Sequence, residues 1–366
     1  MKIHEILTAL TEIAPLSFQE SYDNSGLLVG DLQAEVTKTL IALDLTEAVI
    51  DEAIEKNCNL IITHHPFIFK GLKTLTPSDP IANMAIKAIQ HRIGIIAMHT
   101  NIDNYQYGVS YALAEKLGLS DIQILNPQKD ALRKIVVFCP VAHAAMVREA
   151  MMKAGAGSIG KYDFCSFNSD GKGSFRGNED SNPFVGKKGA IHFEDETRIE
   201  TIVSTHHLPN VIEAMLKAHP YEEVAYDVYP LENTLPTVGS GAIGWFENEI
   251  ESVELLALIQ KILKTPCLKH TNTLTKKIRK VALCGGSGAF LIDEAKRRKA
   301  DAYLTADLKY HDYFEANNQL LLIDCGHFET EQFAKDLIAD IIKKKFPTFA
   351  VLISNLNTNP VRYFNK

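Results

Sequence analysis

The chain has 366 residues, 46% hydrophobic and 23% charged, and 38 Lys and Arg against 45 Asp and Glu give a formal net charge of −7. This is ordinary globular composition, which excludes intrinsic disorder and collagen-like or low-complexity structure, and the acidic balance disfavours a strongly basic nucleic-acid binder. At about 100–200 residues per domain, the length predicts two to three domains.

The opening MKIHEILTALTEIAP alternates apolar and polar residues as an amphipathic helix does, without the apolar core and cleavage site of a secretory signal. The segment DNSGLLVGD (Asp23–Asp31) reads as a turn and strand, with Asn24 a candidate to face a site. Thr39–Leu43, Leu60–Thr63 and Ile93–Met98 are short apolar runs, separated by helical patterns at Thr46–Lys56 and Pro80–His91. Continuous apolar strands between helices predict a parallel sheet covered on both faces.

From about Leu132 the texture changes. Strand Lys134–Phe138 and helix Ala142–Ala154 lead into a Gly/Ser-rich stretch between Gly155 and Gly189. Strand Arg198–Val203, helix Pro209–Ala218 and strand Val224–Val228 follow. The order strand–helix–strand–strand–helix–strand is ferredoxin-like. After VGSGAIG (Val238–Gly244), read as a glycine-permitted bend, the first pattern returns. Helix Ile250–Leu263, strand Lys280–Cys284, helix Leu291–Arg298 and strand Ala302–Thr305 come first. Strand Gln319–Asp324, helix Gln332–Lys345 and strand Phe349–Ile353 complete the chain. The two outer segments can be laid over each other, with Thr63 on Thr305, His99 on His327 and Asp103 on Glu331. The predicted fold class is therefore α/β: two pseudo-repeated α/β halves, 1–131 and 233–366, interrupted by a ferredoxin-like α+β insert, 132–232.

No run of about 18 apolar residues occurs, so no membrane span is expected. The six cysteines, Cys58, Cys139, Cys165, Cys267, Cys284 and Cys325, form no CxxC pair. They read as small buried residues of a protein in a reducing cytoplasm.

Ligands of parallel α/β sheets bind beyond the carboxyl ends of the strands. There the sequence places His64 and His65 after LIIT, His99 and Asp103 after IIAM, Asp307 and His311 after AYLT, and His327 and Glu331 after LLLIDCG. His327 and Glu331 are four apart at a helix entry, on one face. Imidazoles and carboxylates together suit Zn²⁺, with Fe²⁺ or Mn²⁺ as alternatives. His64, His65, Asp103, His327 and Glu331 are five candidate ligands, too few to saturate two ions unless a carboxylate bridges. Open positions are the mark of a catalytic metal site. His99, Asp307 and His311 are candidates for proton transfer or for orienting the ligands. CGGSG (Cys284–Gly288) is either a phosphate cradle or a tight turn, and nothing matches a P-loop. His206-His207 lacks a carboxylate motif nearby and reads as structural, and Tyr221-Glu222-Glu223 reads as a surface or subunit contact.

THHP, HTNID, CGGSG and GHFETE, together with DNSGLLVGD and TADLKYH, resemble the motifs of the Nif-three-like proteins, the GTP cyclohydrolase I type 2 homologues of bacteria. In the insert, GKYDFCSF, GKGSF and HPYEEVAYDVYPL resemble the middle domain of longer members, which is similar to CutA and PII-type folds. The resemblance implies two divalent ions per chain on His64, His65, Asp103, His327 and Glu331, with Glu331 bridging. It also implies a homohexameric toroid, a trimer of dimers with sites facing an internal cavity and the inserts capping its openings. Ala242 stands where the family commonly has Arg, which weakens the case for a phosphate-bearing substrate. The implied activity is metal-dependent hydrolysis of a small molecule or nucleotide, with GTP ring opening the example. Phosphoester hydrolysis, or a metal-holding regulatory or scaffold ring without turnover, are the alternatives. Nucleic acid threaded through a ring fits poorly with the −7 charge.

Overall fold

The computed structural model describes residues 1–272 and 277–364. Its strands, in chain order, are β1 (Gly26–Val29), β2 (Thr39–Ala42), β3 (Leu60–Thr63), β4 (Gly94–Ala97), β5 (Ser120–Gln128), β6 (Leu132–Pro140), β7 (Phe167–Phe175), β8 (His192–Ser204), β9 (Tyr226–Pro230), β10 (Leu235–Ile250), β11 (Lys269–His270), β12 (Ile278–Ser287), β13 (Ala302–Ala306), β14 (Leu321–Asp324) and β15 (Val351–Ile353). The chain divides into two compact units. One joins residues 1–127 to 236–366, and the other is residues 128–235.

The first unit is a mixed α/β body with two sheets. One runs β1-β4-β3-β2-β15, with β15, β2, β3 and β4 parallel and β1 antiparallel at the edge. The other runs β11-β14-β13-β12-β10-β5, with β12, β13 and β14 parallel, β10 antiparallel to β12 and β11 antiparallel to β14. The two ends of the chain are interleaved, because β15 pairs with β2 and β5 lies beside β10.

All four residues of each of β2, β3 and β4 are buried, as a sheet covered on both sides requires. Alternation divides them between two cores. Ile41, Leu60 and Ile62 pack with Ile6 and Leu10 of the helix Ile3–Ile13 and with Ile338 and Ile342 of the helix Ala334–Lys345. Leu40, Ile61 and Ile95 pack instead with Val49, Ile50 and Ala53 of the helix Glu47–Glu55 and Ala88 of the helix Pro80–Gln90. Those last two helices start where their sequences say they should. Thr46 and Asp79 accept from the N–H groups of Val49 and Ala82, and Pro80 occupies a first-turn position. In the second sheet, Val281, Leu283 and Leu304 face Leu255 and Ile259 of the helix Ser252–Leu263, and Ala282, Tyr303 and Leu322 face Leu291, Ile292 and Ala295.

The glycine-rich VGSGAIG is not a bend but the middle of β10, a strand of 16 residues. Its glycines permit close approach. A Cβ on Gly241 would stand 2.9 Å from the Leu283 carbonyl of β12, and one on Gly244 would stand 3.0 Å from the Ser120 carbonyl of β5.

The second unit has the order β6–helix–β7–β8–helix–β9, with an antiparallel sheet β7-β8-β6-β9. Ile135, Val137, Ile199 and Val203 meet Val147 and Met151 of the helix Val141–Lys153 and Val211 and Met215 of the helix Leu208–Ala218. No helix among the described residues is long and apolar enough to cross a membrane.

Candidate metal centre

Within the first unit, the carboxyl ends of both parallel sheets deliver polar residues to one place. His64 and His65 follow β3, His99 follows β4, Asp103 ends the short helix Thr100–Asp103, and Asp307 follows β13. His327 and Glu331 open and close the five-residue helix after β14.

Each of the four histidines has its Nδ1 held from behind. His64 Nδ1 lies 2.8 Å from the Met98 carbonyl, His65 Nδ1 2.7 Å from Asp44, His99 Nδ1 2.8 Å from Asp23, and His327 Nδ1 2.6 Å from Asp307. An acceptor at Nδ1 places the neutral ring's proton there and leaves Nε2 as a bare lone pair. These lone pairs converge. His65 Nε2 and His327 Nε2 are 3.3 Å apart, and Glu331 Oε2 lies 2.9 Å from the first and 3.0 Å from the second. His64 Nε2 lies 3.8 Å from Glu331 Oε2 and 3.7 Å from Asp103 Oδ1.

Acceptors facing acceptors are unfavourable unless a cation or protons stand between them. The His64 side chain is fully buried, and its Nε2 and Asp103 Oδ1 are buried atoms without a hydrogen-bond partner. Unsatisfied buried polar atoms carry a desolvation cost that a bound ion would remove. Three groups could each hold a metal ion: His65/His327/Glu331, His64/Asp103/Glu331 and His64/His65/His99. The first two share Glu331.

Without a cation the centre holds protons. Burial alone would lower the pKa of His65, but its hydrogen bonds to Asp44 and Glu331 outweigh burial and lift it to about 9. For His327, burial is likewise overcome by Asp307 and Glu331, giving about 10. Burial pushes Asp103 up to about 7. Glu331 goes the other way: burial would raise it, yet the close contacts of His327 and His65 and the nearby His64 ring hold it well below the usual carboxylate range. Cys284 borders the centre, but burial first, then Asp103 and Glu331, raise its pKa, so its thiol stays protonated.

Two clefts meet at His65 and His327. One of about 520 Å³ is lined by Asp44, Asp324, Glu329, Asn359 and Tyr363, the other of about 290 Å³ by Tyr22, Phe69, His99, Asp103 and Phe290. Both are of a size that admits small ligands.

The structure thus brings His64, His65, His99, Asp103, Asp307, His327 and Glu331 together. His311 stands apart: it is exposed, its ring against Tyr310 (5.2 Å) and Phe314 (6.2 Å), and it joins none of the ligand groups.

The sequence profile of Duf34/NIF3 (NGG1p interacting factor 3) matches residues 1–360. The chain belongs to the Duf34/NIF3 family. Among bacterial relatives, the GTP cyclohydrolase 1 type 2 homolog of Halalkalibacterium halodurans is 40% identical over 355 residues, covering 96% of this chain and 95% of the relative. That of Bacillus subtilis is 36% identical over 365 residues, covering 98% of each. The crystal structure of a Bacillus cereus protein related to NIF3 superposes with a TM-score of 0.83 at 37% identity, over 100% of this chain and 99% of that one.

Two carboxylates of this NIF3-family site escape a reading of the sequence. Asp44, behind His65, stands two residues after β2, close to the strand-end position that marks the other site residues. Asp23, behind His99, also accepts from the Thr100 N–H at 3.0 Å. Asn24 beside it does not face the centre, because its amide donates to the Ile68 carbonyl at 2.6 Å. CGGSG is not a phosphate cradle either. The Gly285 and Gly286 N–H groups donate inward to Ser110 (3.2 Å) and Thr330 (3.0 Å). Gly286 has φ +60°, and a Cβ there would collide with the Glu331 carboxylate. The glycine makes room for a candidate ligand.

Proposed function

We propose that the chain is a dinuclear divalent-metal hydrolase acting on a nucleotide. The observation that carries this reading is the convergence of three imidazole Nε2 atoms on one buried carboxylate oxygen, Glu331 Oε2. Glu331 would bridge two ions, one with His65 and His327, the other with His64 and Asp103. Zinc is the first choice for this nitrogen-and-oxygen donor set, with iron or manganese as alternatives. When bound, such a pair supplies a hydroxide nucleophile at neutral pH and Lewis-acid polarisation of the substrate.

The chain's own residues do the rest. Asp44 and Asp307 orient His65 and His327. His99, anchored by Asp23, has its ring 5.3 Å from that of His64 and 5.4 Å from that of His65, where its Nε2 can pass a proton to a leaving nitrogen or oxygen. Phe69, with its ring 5.6 Å from His99, and Phe290 give the smaller cleft apolar walls. The relatives' name supports GTP as the first substrate to try, with attack at the imidazole carbon of the purine.

The same reading carries the finer architecture. The parallel cores of the two sheets are a duplicated α/β unit, the 128–235 unit is a ferredoxin-like insert, and six copies assemble as a trimer of dimers in the cytoplasm. Elemental analysis should find two transition-metal ions per chain, fewer in His64→Ala and Glu331→Ala. Metal-loaded protein should turn over GTP or another nucleotide, and His327→Ala should not. No bound metal and no gain on reconstitution would refute the centre; equal rates in both proteins would refute the hydrolase.

A further inference from the structure

The second unit contains a cavity of about 640 Å³, within the size range of small-ligand sites. It lies against the sheet face that the helices leave uncovered. On β8 the odd-numbered Ile199 and Val203 enter the helix-covered core, so Glu194, Glu196, Arg198 and Glu200 share the opposite face. Three of these four charges are matched. Glu194 accepts from His192 at 2.8 Å, and Glu200 meets Arg198 at 3.0 Å and Lys134 at 3.4 Å. Glu196, only 9% exposed, has no ion pair among the described residues and lines the cavity.

Space has been kept beside it. Gly171, directly across on β7, and Gly173, two residues along, share its face and carry no side chain. A Cβ on Gly173 would collide with the Glu196 carboxylate, whereas one on Gly171 would meet nothing within 4 Å. The Tyr221 hydroxyl, also lining the cavity, is buried without a hydrogen-bond partner. Phe175 and Phe184 pack around the Tyr221 ring at 5.9 and 6.3 Å between centroids. Burial first, and then the Glu196 charge, push the Tyr221 pKa up, so the phenol remains neutral.

A buried carboxylate without a counter-ion is unfavourable, and the faces of aromatic rings attract cations. We propose that this cavity binds a small organic cation, an ammonium or guanidinium group on an apolar body, with Glu196 as its counter-ion. The Tyr221 hydroxyl accepts a second N–H from it, and the three aromatic rings enclose its body.

The test is calorimetric titration of the full-length, metal-loaded protein with phenethylamine and agmatine, and with 2-phenylethanol and 3-phenylpropionate as neutral and anionic counterparts. One amine per chain should bind, at least about tenfold more tightly than either counterpart, the margin of one charge-assisted hydrogen bond. Glu196→Gln should weaken amine binding by at least about tenfold. Gly171→Leu, which extends into open space, should abolish it while metal content and the thermal midpoint stay unchanged. Failure of both amines to bind overturns the proposal, and so does equal binding of the counterparts or unchanged affinity in both variants. Self-association that depends on Glu196, in protein that binds no amine, would assign the carboxylate to a Lys or Arg of a second copy instead.

Discussion

Asp307→Asn tests the centre without touching a candidate ligand. Asp307 sits at φ +56°, a conformation that asparagine tolerates, so the backbone should keep its path. Its carboxylate binds His327 Nδ1 at 2.6 Å and accepts from the Ser287 hydroxyl at 2.8 Å. An amide can keep both contacts through its oxygen but carries no charge. The His327 pKa of about 10 is upheld by Asp307 and Glu331 against burial. Losing one of two supporting charges should lower it by about 1–3 units in metal-free protein. A less basic His327 binds metal less tightly, and removal of such a supporting carboxylate typically costs about 10–100-fold in affinity, or roughly 1.4–2.8 kcal/mol. The loss should fall on one ion only, because His64 and Asp103 make no contact with Asp307. Competition titration with a chelating dye should resolve one weakened and one unchanged site per chain. NMR of the His327 ring in metal-free protein should follow the pKa. Two unchanged affinities would refute the assignment of His327 as a ligand, and two equally weakened ones would refute the division into separate ion positions.

Other perturbations read different parts of the same geometry. Gly286→Ala should destabilise the fold by about 1–2 kcal/mol for its left-handed backbone alone and reduce metal content as well, because the methyl group would displace Glu331; paired thermal melts and elemental analysis check both effects. Asp23→Asn should leave two ions bound yet lower kcat by about 10²–10⁴-fold if His99 transfers a proton, with the alkaline limb of the pH–rate profile displaced. Metal-free protein should lose stability as pH rises. The raised histidine pKa values give stability that is complete below about 6.5 and is lost through about 9 for His65 and about 10 for His327. At about 1.4 kcal/mol per pKa unit, His65 contributes on the order of 3 kcal/mol. His327, whose side chain is 39% exposed, contributes less. Asp103, raised to about 7, acts in the same direction up to neutrality. Urea melts at pH 6.5 and pH 10, with and without Zn²⁺, should show the loss and its reversal, and a flat profile would contradict the proton-filled centre. Metal binding at pH 7.5 should accordingly release protons, seen as a calorimetric enthalpy that varies with buffer ionisation.

How much of this was legible in the sequence depends on the physical origin of each signal. Buried parallel strands are continuous apolar runs, so β2, β3, β4, β13 and β14 could be placed to within a residue or two. The strands that escaped draw their stability from elsewhere. β10 runs through VGSGAIG because absent side chains let β5 and β12 approach it, and β7 runs through FNSDGKGSF with its residues largely exposed. Neither has an alternating pattern to detect. The site divides in the same way. Histidines and carboxylates that follow apolar runs announce themselves, since strand ends are where a parallel sheet collects its ligands. Asp44 carries that same signal, following the apolar run Thr39–Leu43, and escapes notice because it is not paired there with a histidine, whereas Asp23 lies in a turn and gives no such signal. His99 lies 76 residues from Asp23 and His65 lies 21 from Asp44.

That division follows from the way the centre is built. Three of its four histidines have an aspartate behind Nδ1, and the fourth has the Met98 carbonyl at the end of β4. The backbone acceptor serves His64, the most deeply buried of the four, where a further carboxylate would need its own neutralisation. The aspartates serve the rings with solvent on one side, and there a charge can be kept at little cost. The five candidate ligands alone carry the two negative charges of Asp103 and Glu331. Asp44 and Asp307 add two more directly behind the ligating rings, and Asp23 a third behind His99. Five carboxylates around four imidazoles repel one another unless positive charge lies among them. Two divalent ions would bring four positive charges among the five carboxylates, and in their absence the protons on His65 and His327 bring two. The charge count is therefore compatible with the proposed pair of ions, and it predicts that one bound ion should leave the second position with a substantial affinity of its own.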